Sequence, residues 1–138
     1  MYLGTFLQKL DDKGRLFLPA KFREQLRTGL VITRQPERCL AIWPIDAFIA
    51  DVGQTASGPS ASQKVREFQR MVASGASDDA PDAQGRVTVP PALRAYAGLV
   101  KEIVVIGAYN RLEIWDQEKW AEYSAAQEDV FADLNETD

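Results

Sequence analysis

The sequence predicts an α+β fold, mainly β, in which one short module occurs twice. Three observations carry this. A motif recurs along the chain at an offset of 71 residues. Each occurrence is followed by short runs of Val, Leu, Ile and Phe bounded by Gly, Pro and charged residues, the pattern of strands and turns. Each occurrence also places a proline directly after its first apolar run, which marks a helix start.

The repeat organises everything else. Residues 11–23 read DDKGRLFLPAKFR, and residues 82–94 read DAQGRVTVPPALR. Asp11, Gly14, Arg15, Pro19 and Arg23 match Asp82, Gly85, Arg86, Pro90 and Arg94, and Leu16 and Leu18 match Val87 and Val89. After one inserted residue the match resumes, with LAIW at 40–43 against LEIW at 112–115.

Within each copy the elements follow in order. A first strand is expected around Gly4–Leu10. A tight turn follows at Asp-x-x-Gly-Arg, where Gly14 and Gly85 supply the permissive backbone. Leu16–Leu18 and Val87–Val89 read as short strands. Helices start at Pro19 and Pro90, with Phe22 and Leu26 on one face of the first and Leu93 and Ala97 on one face of the second. Gly98 is placed to stop the second. Two hairpins follow, Leu30–Thr33 with Leu40–Trp43 and Ile103–Ile106 with Leu112–Trp115.

These readings give a module at 5–47, a second at 76–119, a linker and helix at 57–75, and an acidic tail at 128–138. The linker begins with the small-residue stretch SGPSAS at 57–62, and the helix presents Val65, Phe68 and Val72 on one face. A further helix is expected over 117–127, anchored by Trp120 and Tyr123. The tail holds five acids and no base and is expected to be disordered. A unit of about 45 residues is near the lower limit for folding alone, so the two modules are expected to share one core. Trp43 and Trp115 are its expected large anchors.

Composition narrows the chemistry. The 138 residues include no histidine and one cysteine, Cys39. A thiolate–imidazole zinc site cannot be assembled in one chain, and the commonest general base is missing. Cys39 reads as a buried structural thiol. No cofactor and no small-molecule ligand is indicated, and the protein is not expected to be an enzyme. No apolar run spans a bilayer, and the N-terminus lacks a signal-peptide pattern, which points to a cytoplasmic address. Net charge is −4, yet residues 1–75 carry 11 basic and 7 acidic side chains, while residues 76–138 carry 5 and 13. A basic working face and an acidic end fit that asymmetry, so an acidic total does not exclude DNA.

The paired Asp-x-x-x-Arg elements, with the opening run MYLGTFLQKLDDKGRLFLPAKFR, resemble the MraZ family over nearly the whole chain. The resemblance implies AbrB-like swapped-hairpin modules (the SpoVT-AbrB domain) joined in one pseudo-twofold barrel unit. It also implies a ring-shaped homo-oligomer. Its partner would be double-stranded promoter DNA, read at short direct repeats upstream of the division and cell-wall gene cluster. The chain would then act as a transcriptional regulator, usually a repressor, and associate with the nucleoid. Copy two departs from copy one at Gln84, Pro91 and Ala92, which stand where copy one has Lys13, Ala20 and Lys21.

The candidate DNA-binding residues are Lys13, Arg15, Lys21 and Arg86, with Asp11, Gly14, Asp82 and Gly85 forming the signature turns. Arg15 and Arg86 admit two readings, an ion pair with the aspartate four residues back or a guanidinium offered to a base or phosphate. Both hold if the aspartate orients the arginine. Lys9, Lys13, Lys21, Arg23 and Arg27 crowd the first module, and Arg23 and Arg94, at matched positions, read as structural. Two other functions are weighed. One is an AbrB-like antitoxin that covers a basic toxin, against which the covalent duplication argues. The other is a structural ring or a carboxylate enzyme, for which no constellation speaks.

Overall fold

The computed structural model describes residues 1–56 and 62–134. Most of the expected linker, at 57–61, and the last four residues of the expected tail lie outside the described residues. Among the described residues, eight strands and five α-helices run in the order β1 (Thr5–Lys9), β2 (Arg15–Phe17), α1 (Arg23–Leu26), β3 (Leu30–Arg34), β4 (Leu40–Pro44), α2 (Ile45–Ala56), α3 (Gln63–Gly75), β5 (Ser77–Asp79), β6 (Arg86–Thr88), α4 (Pro91–Ala97), β7 (Glu102–Gly107), β8 (Leu112–Asp116) and α5 (Gln117–Ala132). The fold is α+β, mainly antiparallel strands, as the sequence predicts.

The strands form one six-stranded sheet, ordered β1-β7-β8-β4-β3-β5, and one two-stranded ribbon, β2-β6. The hairpins β3–β4 and β7–β8 stay within a copy. The other pairings cross between copies: β1 with β7, β5 with β3, β4 with β8 and β2 with β6. The first strand of each copy therefore pairs with the third strand of the other, so neither copy is complete alone.

The expected barrel is not closed by hydrogen bonds. β1 and β5 lie at opposite edges of the large sheet, and β2 and β6 pair only with each other. The prolines explain this, since Pro19 and Pro90 follow the short β2 and β6 segments and have no N–H with which to extend a ladder. β5 was not legible in the sequence, because Ser77, Asp78 and Asp79 are poor strand formers. Tertiary pairing overrides propensity, with Leu30, Val31 and Ile32 of β3 opposite them.

One core lies between the sheet and the ribbon. It takes Leu16, Leu18, Phe22, Leu26, Ile32 and Ile42 from copy one, and Val87, Val89, Leu93, Ile103, Val105 and Ile114 from copy two. Strand alternation sends the tryptophans to the other side of the sheet, which corrects their expected place in that shared core. Trp115 joins a smaller cluster with Cys39, Val104, Ile106 and Trp120. Trp115 donates to Glu113 Oε1 at 3.0 Å, and Trp43 donates to Thr33 Oγ1 at 3.0 Å, so both buried indoles are satisfied.

The helices show why local signals differ between copies. Copy one has a 3₁₀ turn at Ala20–Phe22 and then the single turn of α1. Copy two has a continuous α4 with Pro91 in its first turn and Gly98 at φ 65° as its left-handed stop. α2, which follows β4 directly, was not anticipated. α5 runs five residues past its expected end, so residues 128–132, assigned to a disordered tail, are helical. Asp116 caps it by accepting from the Lys119 N–H at 3.1 Å. Trp120 and Tyr123 dock it on Trp115, with ring centroids 5.2 and 4.7 Å away, and Ala125, Ala126, Gln127 and Glu128 favour continuing the helix.

Candidate nucleic-acid interface

Both Asp-x-x-Gly-Arg turns close by the same set of bonds. Asp11 Oδ1 accepts from the backbone N–H of Lys13 and of Arg15, each at 2.9 Å, and Asp11 Oδ2 accepts from Arg15 Nε at 2.7 Å. Asp82 Oδ1 accepts from the N–H of Gln84 at 2.9 Å and of Arg86 at 2.8 Å, and Asp82 Oδ2 accepts from Arg86 Nε at 2.7 Å. The glycines sit at φ 76° and 78°. Both readings of the arginines are geometrically compatible. The aspartate holds Nε, and among the described residues the two terminal nitrogens of Arg15 and Arg86 have no hydrogen-bond partner. Each guanidinium is oriented by its aspartate and still offers a free forked end.

The ribbon sets the two turns in one frame. Arg15 lies opposite Thr88, Leu16 opposite Val87, and Phe17 opposite Arg86. Leu16 and Val87 point into the core. The other face therefore presents Arg15, Phe17, Arg86 and Thr88, with the two arginines on a diagonal. A ribbon of this kind has the width that the major groove of B-DNA admits.

The copies clamp each other's turns. The Leu18 N–H donates to Gly85 O at 2.9 Å, and the Val89 N–H donates to Gly14 O at 2.9 Å. Arg94 Nε donates to Val89 O at 2.9 Å, and its guanidinium lies against Gly14, where an added Cβ would be 2.7 Å from Arg94 Cζ. Arg23 does the same from copy one, with Nε donating to Leu18 O at 2.9 Å and lying against Gly85. The structural reading of Arg23 and Arg94 agrees with this geometry. The sequence did not reveal that each serves the opposite copy's turn.

The remaining basic residues separate. Lys13 is exposed at the tip of the first turn. Lys21 turns its ammonium over the rings of Phe6 and Phe22, 5.3 and 5.1 Å from the centroids. Lys9 faces Glu102 at 3.7 Å, and Arg27 faces Glu24 at 3.4 Å. The structure thus puts Arg15 and Arg86 on the ribbon, with Lys13 and the four signature residues in the two turns that lead into its opposite ends, while Lys21 has aromatic partners of its own. Gln8 is a residue that sequence reading missed. Its amide accepts from the Phe17 N–H and donates to Phe17 O, holding the outer edge of β2. Asp79 stands at the matched place in copy two, and its carboxylate instead accepts from the Ala80 N–H.

Backbone N–H donation from Arg15 is the largest cause of a lowered Asp11 pKa, with Arg86 doing the same for Asp82. A carboxylate whose folded pKa is depressed contributes stability above its unfolded value, and loses it as pH falls through the folded one. Acid unfolding is therefore expected below the ordinary aspartate value of 3.8. Asp11→Asn with Asp82→Asn should remove part of that acid sensitivity. Melting temperatures followed downward through that range check it; an unchanged acid limb in the double variant contradicts it.

Among the described residues no group of His, Cys, Asp or Glu could hold a metal ion, and no helix is long and apolar enough to cross a membrane.

The family model described as "MraZ protein, putative antitoxin-like" matches the chain twice, over residues 1–71 and 72–138. The chain belongs to the MraZ family. Its two family matches coincide with the repeat that the turns define. A protein of Cutibacterium acnes named "Transcriptional regulator MraZ" is 59% identical over 97% of this chain and 94% of its own length. Proteins of the same name from a Parafrankia strain and from Thermobifida fusca are each 52% identical over 99% of this chain and 95% of theirs. The MraZ resemblance first carried by the repeated Asp-x-x-x-Arg turns thus extends along the whole chain.

Proposed function

We propose that this MraZ-family chain is a transcriptional regulator that reads double-stranded DNA with the β2–β6 ribbon. The observation that carries the reading is the pair of Asp-oriented arginines, Arg15 and Arg86, on the outward face of a ribbon of major-groove width. Each forked end can donate to guanine O6 and N7. Lys13 at the tip holds a phosphate, and Lys21 has a weaker role, since its charge is turned toward Phe6 and Phe22. Copy two, with Gln84 in place of a lysine, contributes Arg86 to base reading and less to phosphate binding.

One ribbon makes few contacts. The resemblance supplies the rest of the reading: a ring of identical chains, short direct repeats in the promoter of the division and cell-wall cluster, repression, and a cytoplasmic, nucleoid-associated protein. Several ribbons at fixed spacing would engage repeats about one helical turn apart, and avidity would supply the missing specificity. The family description also names an antitoxin-like role. Under that second reading, binding of a basic toxin protein replaces operator affinity as the measurable property.

The test is a titration of operator and scrambled duplexes at two salt concentrations. Arg15→Ala should weaken operator binding by roughly 10- to 100-fold per engaged ribbon and flatten base preference. Lys13→Ala should weaken both duplexes alike and reduce the salt dependence by about one counterion per contact. Full operator affinity in folded Arg15→Ala protein refutes the assignment.

A further inference from the structure

The outward face of the ribbon is not symmetric. The repeat relates its strands by a pseudo-twofold through the Leu16–Val87 pair, which carries Arg15 onto Arg86 and Phe17 onto Thr88. One diagonal of the face therefore holds two arginines in matching settings. The other holds an aromatic ring at one corner and a small hydroxyl side chain at the opposite corner. Phe17 is 49% exposed between the fully buried Leu16 and Leu18, and Thr88 is exposed as well. Among the described residues no other ring and no cation lies over the Phe17 ring. Its backbone is nonetheless fixed. Gln8 accepts from the Phe17 N–H at 3.2 Å and donates to Phe17 O, whereas Asp79, at the matched place, accepts from the Ala80 N–H instead. The ring is held outward by its own strand and fills no space in the core.

The chemistry of the major groove says what such a ring would meet. The apolar group on that surface is the thymine C5-methyl, and Phe is among the side chains that contact it. Directly opposite residues of an antiparallel pair stand about 5 Å apart, and a base step rises about 3.4 Å, so Phe17 reaches about one to two base pairs from the base that Arg86 reaches. Direction on the duplex is a separate matter. Phosphate contacts carry no sequence information, and the backbone of B-DNA is twofold about each base pair. Lys13 at one tip and Gln84 at the other therefore do not set a direction through phosphates. The arginines do not set one either, because the pseudo-twofold exchanges them. On the base-facing side the difference between Phe17 and Thr88 is what remains.

We propose that Phe17 is a specificity-determining residue, which packs on the C5-methyl of a thymine beside the guanine read by Arg86 and thereby fixes the direction in which the ribbon lies on its DNA element. Thr88 offers a single methyl at the matched corner and buries less. The preferred element is then non-palindromic, although the two arginines alone would read it equally well from either side. The proposal rests on the ribbon reading given above. It adds what the arginines do not read, an A·T pair and a direction.

The test uses the full chain and a duplex that it enriches from a randomised pool. Each thymine of that duplex is replaced in turn by uracil, which lacks the C5-methyl and keeps the hydrogen-bonding edge. With the native chain, replacement of the thymine beside the contacted guanine should weaken binding roughly 3- to 5-fold per engaged ribbon, the worth of one buried methyl. Phe17→Ala should lose at least as much on the thymine duplex and nothing further on the uracil duplex. Phe17→Thr combined with Thr88→Phe should regain both the affinity and the sensitivity to uracil, because the ring then stands at the twofold-related corner and the chain turns round on the same duplex. A native chain indifferent to every uracil, or a Phe17→Ala chain that still senses one, overturns the proposal and leaves the ribbon reading standing. A swapped chain as weak as Phe17→Ala overturns the assigned direction. A native chain that enriches no sequence overturns the ribbon reading too. Far-ultraviolet circular dichroism confirms folding, and Phe17→Thr alone replaces Phe17→Ala if the latter does not fold.

Discussion

Expressed apart, residues 1–56 and 76–138 are expected to give two pieces, neither of which folds as a monomer. The pairings β1–β7, β3–β5, β4–β8 and β2–β6 all run between the copies. Each piece alone would keep one hairpin, and a lone two-stranded hairpin is at best marginally stable in water. The core divides in the same way. Leu16, Leu18 and Ile42 would face water where Val87, Val89 and Ile114 now cover them. The repeat offers one escape. A second copy of the first piece could supply β1 to the β3 of its twin, in the place that β5 now takes. Self-associated or unfolded pieces that recover cooperative unfolding when mixed are therefore the expected outcome, read by circular dichroism and light scattering. Two folded monomers would show that the cross-copy pairings are dispensable.

Gly14→Ala is expected to be severely damaging, as is its counterpart Gly85→Ala, where Arg23 stands equally close. At φ 76°, any L side chain is strained by about 1–2 kcal/mol. Its Cβ would also lie 2.7 Å from both Cζ and Nε of Arg94, so the clamp must open. Opening it gives up the charged hydrogen bond to Val89 O, for a combined cost of about 2–4 kcal/mol. Gly98→Ala is the natural comparison. Gly98 has φ 65° but nothing within 4 Å of an added Cβ, so only the backbone strain applies. Urea unfolding at fixed protein concentration measures both, with a shifted midpoint and an unchanged slope. The collision predicts a non-additive cycle as well, since Arg94→Ala should relieve about 1 kcal/mol or more of the Gly14→Ala cost. Equal costs at Gly14 and Gly98 would mean that Arg94 yields freely and does not clamp the turn.

The turns and their arginines were legible because everything that shapes them is local. Asp11 and Arg15 are four residues apart, Gly14 lies between them, and Pro19 ends the strand that follows. Side chains that bond their own neighbouring backbone write their conformation into a few consecutive letters. The same holds for the stop at Gly98 and the cap at Asp116. The copy number, the antiparallel hairpins and the need for a shared core followed from repetition and module size.

The choice of partners did not follow. Backbone ladders form with the same N–H and C=O groups whatever the side chains are. Nothing in Thr5–Lys9 says that it will lie on β7, or that the polar Ser77–Asp79 will be drawn into β3. Strand alternation moved Trp115 to the far face of the sheet, and cross-copy packing put Arg94 under Gly14. The sequence by itself determined the two turns, their oriented arginines and the family to which they belong. Only the tertiary structure decided that those arginines share one ribbon face, because that depends on which strands close a common core between copies 71 residues apart.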